Sequence, residues 1–274
     1  MMGYASRLDK AFEKAPVLPL TRHTKYILMS DCHRGVGNTN DNFLKNQHLY
    51  MAAMQHYYRN NYIYIELGDG DELWENRSLK QIADSHHPIF DLLESFHMAH
   101  RLYLLYGNHD MVKKKLSSVF LSGLILQDTK TGNTIYLTHG HQGDLLNSTF
   151  WKFSRFLVRY LWKPAERFGV LDPTSAAKNY HRKNNVEKRL SKWAEDHHRL
   201  LITGHTHRPR LGEESLRYCN TGSCVHPSGI TAIEITNRCL SLVKWNLAVR
   251  ENKNLYVLRE VLSGPVCLDN FYTL

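Results

Sequence analysis

Five short apolar runs in this sequence each break off into residues that bind cations. Residues 26–30 lead into Asp31-Cys32-His33, 62–67 into Gly68-Asp69, and 102–106 into Gly107-Asn108-His109-Asp110. Residues 135–138 lead into His139-Gly140-His141, and 200–203 into Gly204-His205-Thr206-His207. Together they supply Asp31, His33, Asp69, Asn108, His139, His205 and His207, a set of carboxylate, amide and imidazole donors with no thiolate. Such donors suit borderline divalent metals, with Mn²⁺ the first choice and Fe²⁺, Zn²⁺ or Co²⁺ as alternatives. Seven donors are too many for one tetrahedral site. They are enough for two cations about 4 Å apart, provided one carboxylate is shared.

Placing those donors together is the task of the surrounding elements. Apolar runs of four to six residues rich in Ile, Leu and Tyr read as buried strands. Helical patterns fall between the first three. Residues 41–59 carry Phe43, Leu44, Met51, Met54 and Tyr58 at helical spacing, with Asn40 or Asp41 as the N-cap, and residues 87–98 read likewise. Strands alternating with helices predict a layered α/β arrangement, and ligands in such sheets bind beyond the carboxyl ends of strands, where every cluster above lies. Glycines 68, 107, 140 and 204 flank the donors and permit sharp turns and close backbone approach.

After Gly204-His205 the pattern turns to strands at 217–219, 230–235, 240–245 and 256–261, with Asn237-Arg238 turning a hairpin. Residues 144–198 break the strand rhythm and read as a helical, cap-like insertion within a single domain spanning 1–274. Its first helix, about 147–168, has a basic stripe of Lys152, Arg155, Arg159, Lys163 and Arg167. An apolar stripe of Phe153, Phe156, Leu157, Tyr160 and Leu161 runs beside it.

Bulk properties narrow the class. The net charge is +9, yet residues 151–199 alone hold a net +7, so an anionic partner is expected at that segment rather than over the whole surface. No run approaches the roughly 18 to 20 apolar residues that span a bilayer. The first twenty residues carry scattered charges and lack a signal peptide's apolar core, so a cytoplasmic location is the expectation. The five cysteines, 32, 219, 224, 239 and 267, form no Cys-x-x-Cys pair and read as reduced, mostly buried side chains.

The order Asp-x-His, Gly-Asp, Gly-Asn-His-Asp, His-Gly-His, Gly-His-Thr-His resembles the calcineurin-like metallophosphoesterase superfamily over about residues 25–235. The resemblance implies an αββα β-sandwich flanked by helices. It implies one cation on Asp31, His33 and His207, a second on Asn108, His139 and His205, and Asp69 bridging them. A hydroxide shared by the two ions would then attack phosphorus in line, the ions lowering the water's pKa and neutralising phosphoryl charge. His109 becomes the candidate general acid or phosphoryl donor, with Asp110 fixing its tautomer. Arg34 could pair bidentately with phosphate. His141 is placed near the substrate or behind the ligands.

Gly68-Asp69-Gly70-Asp71-Glu72-Leu73-Trp74 is similar to a stretch of UDP-2,3-diacylglucosamine pyrophosphatases, which makes that branch the nearest and suggests that Asp71, Glu72 and Trp74 line the pocket. Those relatives also carry a helical insertion, so the basic-aromatic helix suits a lipid-linked substrate or peripheral contact with an anionic membrane at its inner face. Two features depart from the branch: His109 stands where it usually has Arg, and Asn220-Thr221-Gly222-Ser223 is closer to the wider superfamily. The expected substrate is therefore a nucleotide, a nucleotide-sugar lipid or another phosphorylated small molecule. Alternatives are a Ser/Thr-type protein phosphatase, a nuclease or phosphodiesterase, and an inactive metal-binding scaffold. No aromatic platform or long basic stripe outside 151–199 supports nucleic acid.

Overall fold

The computed structural model describes residues 3–115, 119–148, 150–158, 160, 180–212 and 216–272. Twelve strands among them form two sheets. One sheet has the order β1-β6-β7-β8-β9, with β1 Val17–Leu20, β6 Gly123–Asp128, β7 Thr134–Thr138, β8 Leu200–Thr203 and β9 Tyr218–Asn220. The other runs β12-β11-β10-β2-β3-β4-β5. Its members are β2 Tyr26–Met29, β3 Ile63–Glu66, β4 Leu102–Leu105, β5 Phe120–Leu121, β10 Ile230–Thr236, β11 Cys239–Val249 and β12 Leu255–Cys267. The five motif-bearing strands are β2, β3, β4, β7 and β8. β2, β3 and β4 pair in parallel, as do β7 and β8, so their carboxyl ends point the same way within each sheet.

Side-chain alternation divides the interior into layers. Tyr26 and Leu28 of β2 and Ile65 of β3 meet Leu124, Ile135, Leu137 and Ile202 of the facing sheet, forming the core between sheets. Ile27, Met29 and Tyr64 point the other way. They pack beneath α2 (Gln47–Arg59) and α4 (His87–Met98), which bring Tyr50, Met54, Tyr57, Leu93 and Phe96. On the outer face of the five-stranded sheet, Tyr136, Leu201 and Tyr218 meet Leu8 of α1 (Tyr4–Phe12) and Val186, Leu190 and Trp193 of a long helix, Tyr180–Asp196. The order is helices, sheet, sheet, helices, the αββα sandwich expected from the sequence.

Several boundaries move. The helix expected from residue 41 begins at Gln47, because Asp41 spends its carboxylate on the amides of Gly37 and Phe43 and on His86 rather than capping a helix. Between α2 and α4 lies α3 (Leu79–Ser85), capped by the Ser78 hydroxyl accepting from the Gln81 amide. Asn237 and Arg238 both adopt positive φ, 51° and 64°, as a two-residue hairpin turn requires. Cys239 and Cys267, expected to be reduced, sit opposite each other on β11 and β12 and are joined as a disulfide; Cys32, Cys219 and Cys224 are free and buried.

In the segment read as one helix over 147–168, the described residues form two short pieces, α5 (Leu145–Ser148) and α6 (Trp151–Leu157). Arg159, Leu161, Lys163 and Arg167 lie outside the described residues. The expected apolar stripe does not pack inward where it is described: Phe153 and Phe156 are each 59% exposed. The long helix Tyr180–Asp196 is α7 below. No helix among the described residues is long and apolar enough to cross a membrane.

Trp193 anchors α7. It is buried, stacks on Phe12, and donates its indole N–H to Asp9 at 2.9 Å. Trp193→Ala is expected to lower unfolding free energy by about 3–5 kcal/mol in urea denaturation; a loss below about 1 kcal/mol would mean α7 does not share the core.

Candidate metal centre

The loops after β2 and β3 continue the parallel pairing of their strands. The amides of Asp31, His33 and Arg34 donate to the carbonyls of Gly68, Asp69 and Gly70 at 2.9–3.1 Å, and the Glu72 amide returns to the Arg34 carbonyl at 2.9 Å. The backbone of the ligand loops is unusual. Asp31, His33, Asp69, His205 and His207 all have φ between 48° and 69°, the left-handed region that residues with a Cβ rarely adopt. Five such residues at one place is strain of about 1–3 kcal/mol each, of the kind held where function requires it. Gly204 is needed for proximity: a Cβ there would lie 2.5 Å from an Asp31 carboxylate oxygen.

Six of the seven expected donors converge, and the seventh, Asn108, precedes His109, whose amide meets Asp69. Asp31 Oδ2 is occupied, accepting from Ser30 Oγ at 2.5 Å and the His205 amide at 2.9 Å. Its Oδ1 has no hydrogen-bond partner and lies 3.1 Å from His207 Nε2, 3.8 Å from His33 Nε2 and 4.0 Å from His139 Nε2. Asp69 divides its oxygens in the same way. Oδ1 accepts the His109 amide at 2.8 Å, while Oδ2 stands 3.1 Å from His139 Nε2 and 3.9 Å from His33 Nε2. Asn108 Oδ1 and His139 Nε2 are also buried without a hydrogen-bond partner, whereas His205 Nε2 faces Asp144. Buried polar atoms are normally paired, so three such orphans on the strand-end loops, Asp31 Oδ1 among them, fit a cation there. Asp31, His33 and His207 form one compact group; Asp69, His139 and His205 form another, and His33, Asp69 and His109 a third.

Outer partners hold the rings. His139 Nδ1 faces the Leu67 carbonyl at 2.8 Å, and His33 Nδ1 faces Glu72 at 2.9 Å, leaving each Nε2 for a ligand. Glu72 also holds His109 Nδ1 at 2.8 Å, and Trp74 stacks on the His109 ring with centroids 4.2 Å apart. Glu72 and Trp74, expected at the substrate, thus brace histidines; Trp74 is 2% exposed.

Arg34 was expected to meet phosphate, but it is buried below the site. Its guanidinium grips Glu66 through two bonds of 2.9 Å and Asp71 through Nε at 2.7 Å. Asp71, expected in the pocket, is held there and by Lys113 Nζ at 2.6 Å. Asp110, expected to orient His109, instead accepts from the amides of Gly107 and Gly70 and from Lys113. His141 is buried beside His139. Sequence reasoning missed Asp144, whose Oδ2 stands 3.7 Å from His205 Nε2; its only local signal was an acid three residues after His141.

Charge follows from this geometry. Burial alone would raise the Asp31 and Asp69 carboxyls, but the surrounding imidazoles outweigh it and hold both well below the ordinary range. Burial alone would lower His33, but Glu72, Asp69 and Asp31 push it up to about 10; Asp69 and Asp31 likewise push His139 up to about 9. Burial lowers His205 and His207.

Two expectations follow. Below about pH 9 the metal-free protein carries protons on His33 and His139 that a cation must displace. Mn²⁺ affinity should therefore rise with pH between 6 and 9, with proton release detectable by calorimetry in buffers of different ionisation enthalpy; affinity flat with pH would remove these histidines from the ligand set. Arg34→Ala leaves Glu66 and Asp71 as buried charges and should cost about 3–5 kcal/mol of stability. Unchanged thermal stability with a raised KM would instead make Arg34 a substrate contact.

Residues 24–209 match the calcineurin-like phosphoesterase family. Among solved structures, the chain is similar to Vps29 of Chaetomium thermophilum, at 12% identity over 87% of this chain and 95% of that one, with a TM-score of 0.43. It is similar too to a cold-active protein-tyrosine phosphatase of a psychrophilic Shewanella species, at 12% identity over 90% of this chain and 83% of that one, TM-score 0.43. No curated protein matches the chain in sequence. With the family match spanning the site from Asp31 to His207, and the strand-end donors converging as described, the chain belongs to the calcineurin-like phosphoesterase family.

Proposed function

We propose that the protein hydrolyses a phosphate ester or anhydride of a small molecule with two divalent cations, manganese being the first candidate. The observation that carries this reading is Asp69 Oδ2 standing 3.9 Å from His33 Nε2 and 3.1 Å from His139 Nε2, where Asp69 would be a ligand common to both ions. Asp31, His33 and His207 would hold one ion, and Asn108, His139 and His205 the other. When bound, the pair supplies Lewis-acid charge for the phosphoryl oxygens and an acidified water.

The chain's own groups supply the proton chemistry and the fit. Burial would lower the His109 pKa, but Glu72 and Asp69 raise it above the ordinary value. Glu72 fixes Nδ1 and Trp74 fixes the ring plane, which leaves Nε2 to protonate the departing oxygen. A cavity of about 150 Å³ borders His33 and Glu72. Asn38, Asn40, Asn42, Asn76, Asp41 and Glu75 line it, with no Lys or Arg among the described lining residues. That lining favours an uncharged, hydroxyl-bearing group on the substrate over a second phosphate or a nucleic-acid backbone. Exposed Phe150, Phe153, Phe156 and Tyr160 near Lys152 support an apolar substrate portion or contact with an anionic membrane.

The test is turnover of p-nitrophenyl phosphate and bis-p-nitrophenyl phosphate with Mn²⁺, with and without chelator. Chelator-sensitive hydrolysis is expected; turnover of neither ester would favour a scaffold. His109→Ala should lower kcat by about 10²–10⁴-fold while retaining two Mn²⁺ per chain. Asp69→Asn should lose both turnover and stoichiometric Mn²⁺. Loss of metal in His109→Ala would make His109 a ligand rather than the acid.

A further inference from the structure

The proposed chemistry makes no use of α7, yet this helix grips both loops that carry the later histidines. One stripe of the helix meets the loop after β7. Arg182 donates through Nε and a terminal nitrogen to the two oxygens of Asp144, at 2.8 and 2.7 Å. Arg189 donates to the Gly143 carbonyl at 3.0 Å. Leu190 and Val186 pack so closely that a Cβ on Gly143 would meet both at 3.3 Å. The adjoining stripe meets the loop after β8. Glu187, buried, accepts from Thr206 Oγ1 at 2.8 Å and from Arg208 at 3.2 Å, while Arg208 also donates to Asn184 at 2.9 Å. Thr206 is the residue between His205 and His207.

We propose that α7 is the positioning element for the cation site of Asn108, His139 and His205, acting on His205 through Asp144 and on the Gly-His-Thr-His loop through Glu187. The inference rests on the two-cation reading above. A ligating imidazole usually directs its second nitrogen to a carboxylate, which fixes the ring's tautomer and orientation. Asp144 is the carboxylate available to His205, 3.7 Å from Nε2, and Asn147 and Arg182 hold it in place. Closing that gap by roughly 0.7 Å would bring it into hydrogen-bond range. Among the described residues, Glu187 is the α7 carboxylate whose hydrogen bond reaches between two ligands. Its bond to Thr206 resists relaxation of the left-handed turns at His205 and His207, at φ 69° and 54°. The inserted segment thereby sets how tightly one of the two sites is held.

The experiment is calorimetric Mn²⁺ titration of the full chain after chelator treatment, with the thermal midpoint of the metal-free protein measured alongside. Wild type is expected to bind two ions. Asp144→Asn should weaken one site by about 10–100-fold and leave the other within about twofold; Glu187→Gln, whose partner Thr206 sits between a ligand of each site, should weaken at least that same site; both should keep the metal-free midpoint within a few degrees. Lys188→Ala, on the exposed face of α7, should change neither site. Both sites unchanged in Asp144→Asn and Glu187→Gln overturns the inference. Equal weakening of both sites with a fall in the midpoint overturns it as well, since that is general loosening of the fold. A wild-type chain that binds fewer than two ions fails the two-cation reading itself and takes this inference with it.

Discussion

Two carboxylates, Asp31 and Asp69, are buried at the meeting point of the strand-end loops, within reach of the same imidazoles of His33 and His139. Buried charge of one sign is costly unless paired. Each carboxylate commits one oxygen to hydrogen bonds and turns the other toward the histidines. The ring of nitrogens, the strained backbone and the glycines beside them all serve to keep those two inward oxygens supplied with positive charge. Protons on His33 and His139 supply it in the metal-free protein, and divalent cations would supply it more strongly.

Beneath this centre lies a second ionic layer. Arg34, Glu66, Asp71, Lys113 and Asp110 form a chain of buried pairs with contacts of 2.6–2.9 Å. It lies on loops and strand ends that also carry ligands: Arg34 follows His33, Asp71 follows Asp69 by two, and Asp110 follows Asn108 by two. The layer is therefore a rigid base for the donors above it. Such ionic bases contribute little net stability against an apolar core of the same shape, but they make each partner hard to remove. Their value here is register, since Arg34–Glu66, Arg34–Asp71 and Lys113–Asp71 each join two ligand-bearing segments.

The upper side of the site is held differently. His33 and His109 are tied together by Glu72, with Trp74 closing behind. His205 and His207 are reached from α7 across the loop between them. One half of the centre is thus fixed by residues close in sequence to its ligands, and the other half by a helix entering from a separate segment.

The local sequence determined the strands, since runs such as 200–203 are too short and too apolar to be anything but buried strands, and β8 has those bounds. It also determined which donors stand at their ends, because residue type and position after a strand are both written in the chain. Helix α4 was legible to the residue for the same local reason. Tertiary structure alone decided the partners of charge. Arg34 and Glu66 are 32 positions apart, Asp144 and Arg182 are 38 apart, and nothing in either neighbourhood says which acid a guanidinium will meet. The start of α2 moved because Asp41 found His86, and Cys239 met Cys267 because a hairpin register set them opposite. Periodicity is a property of a few consecutive residues, whereas the pairing of a buried charge depends on the whole packed arrangement, and only the folded chain brings both partners to the same place.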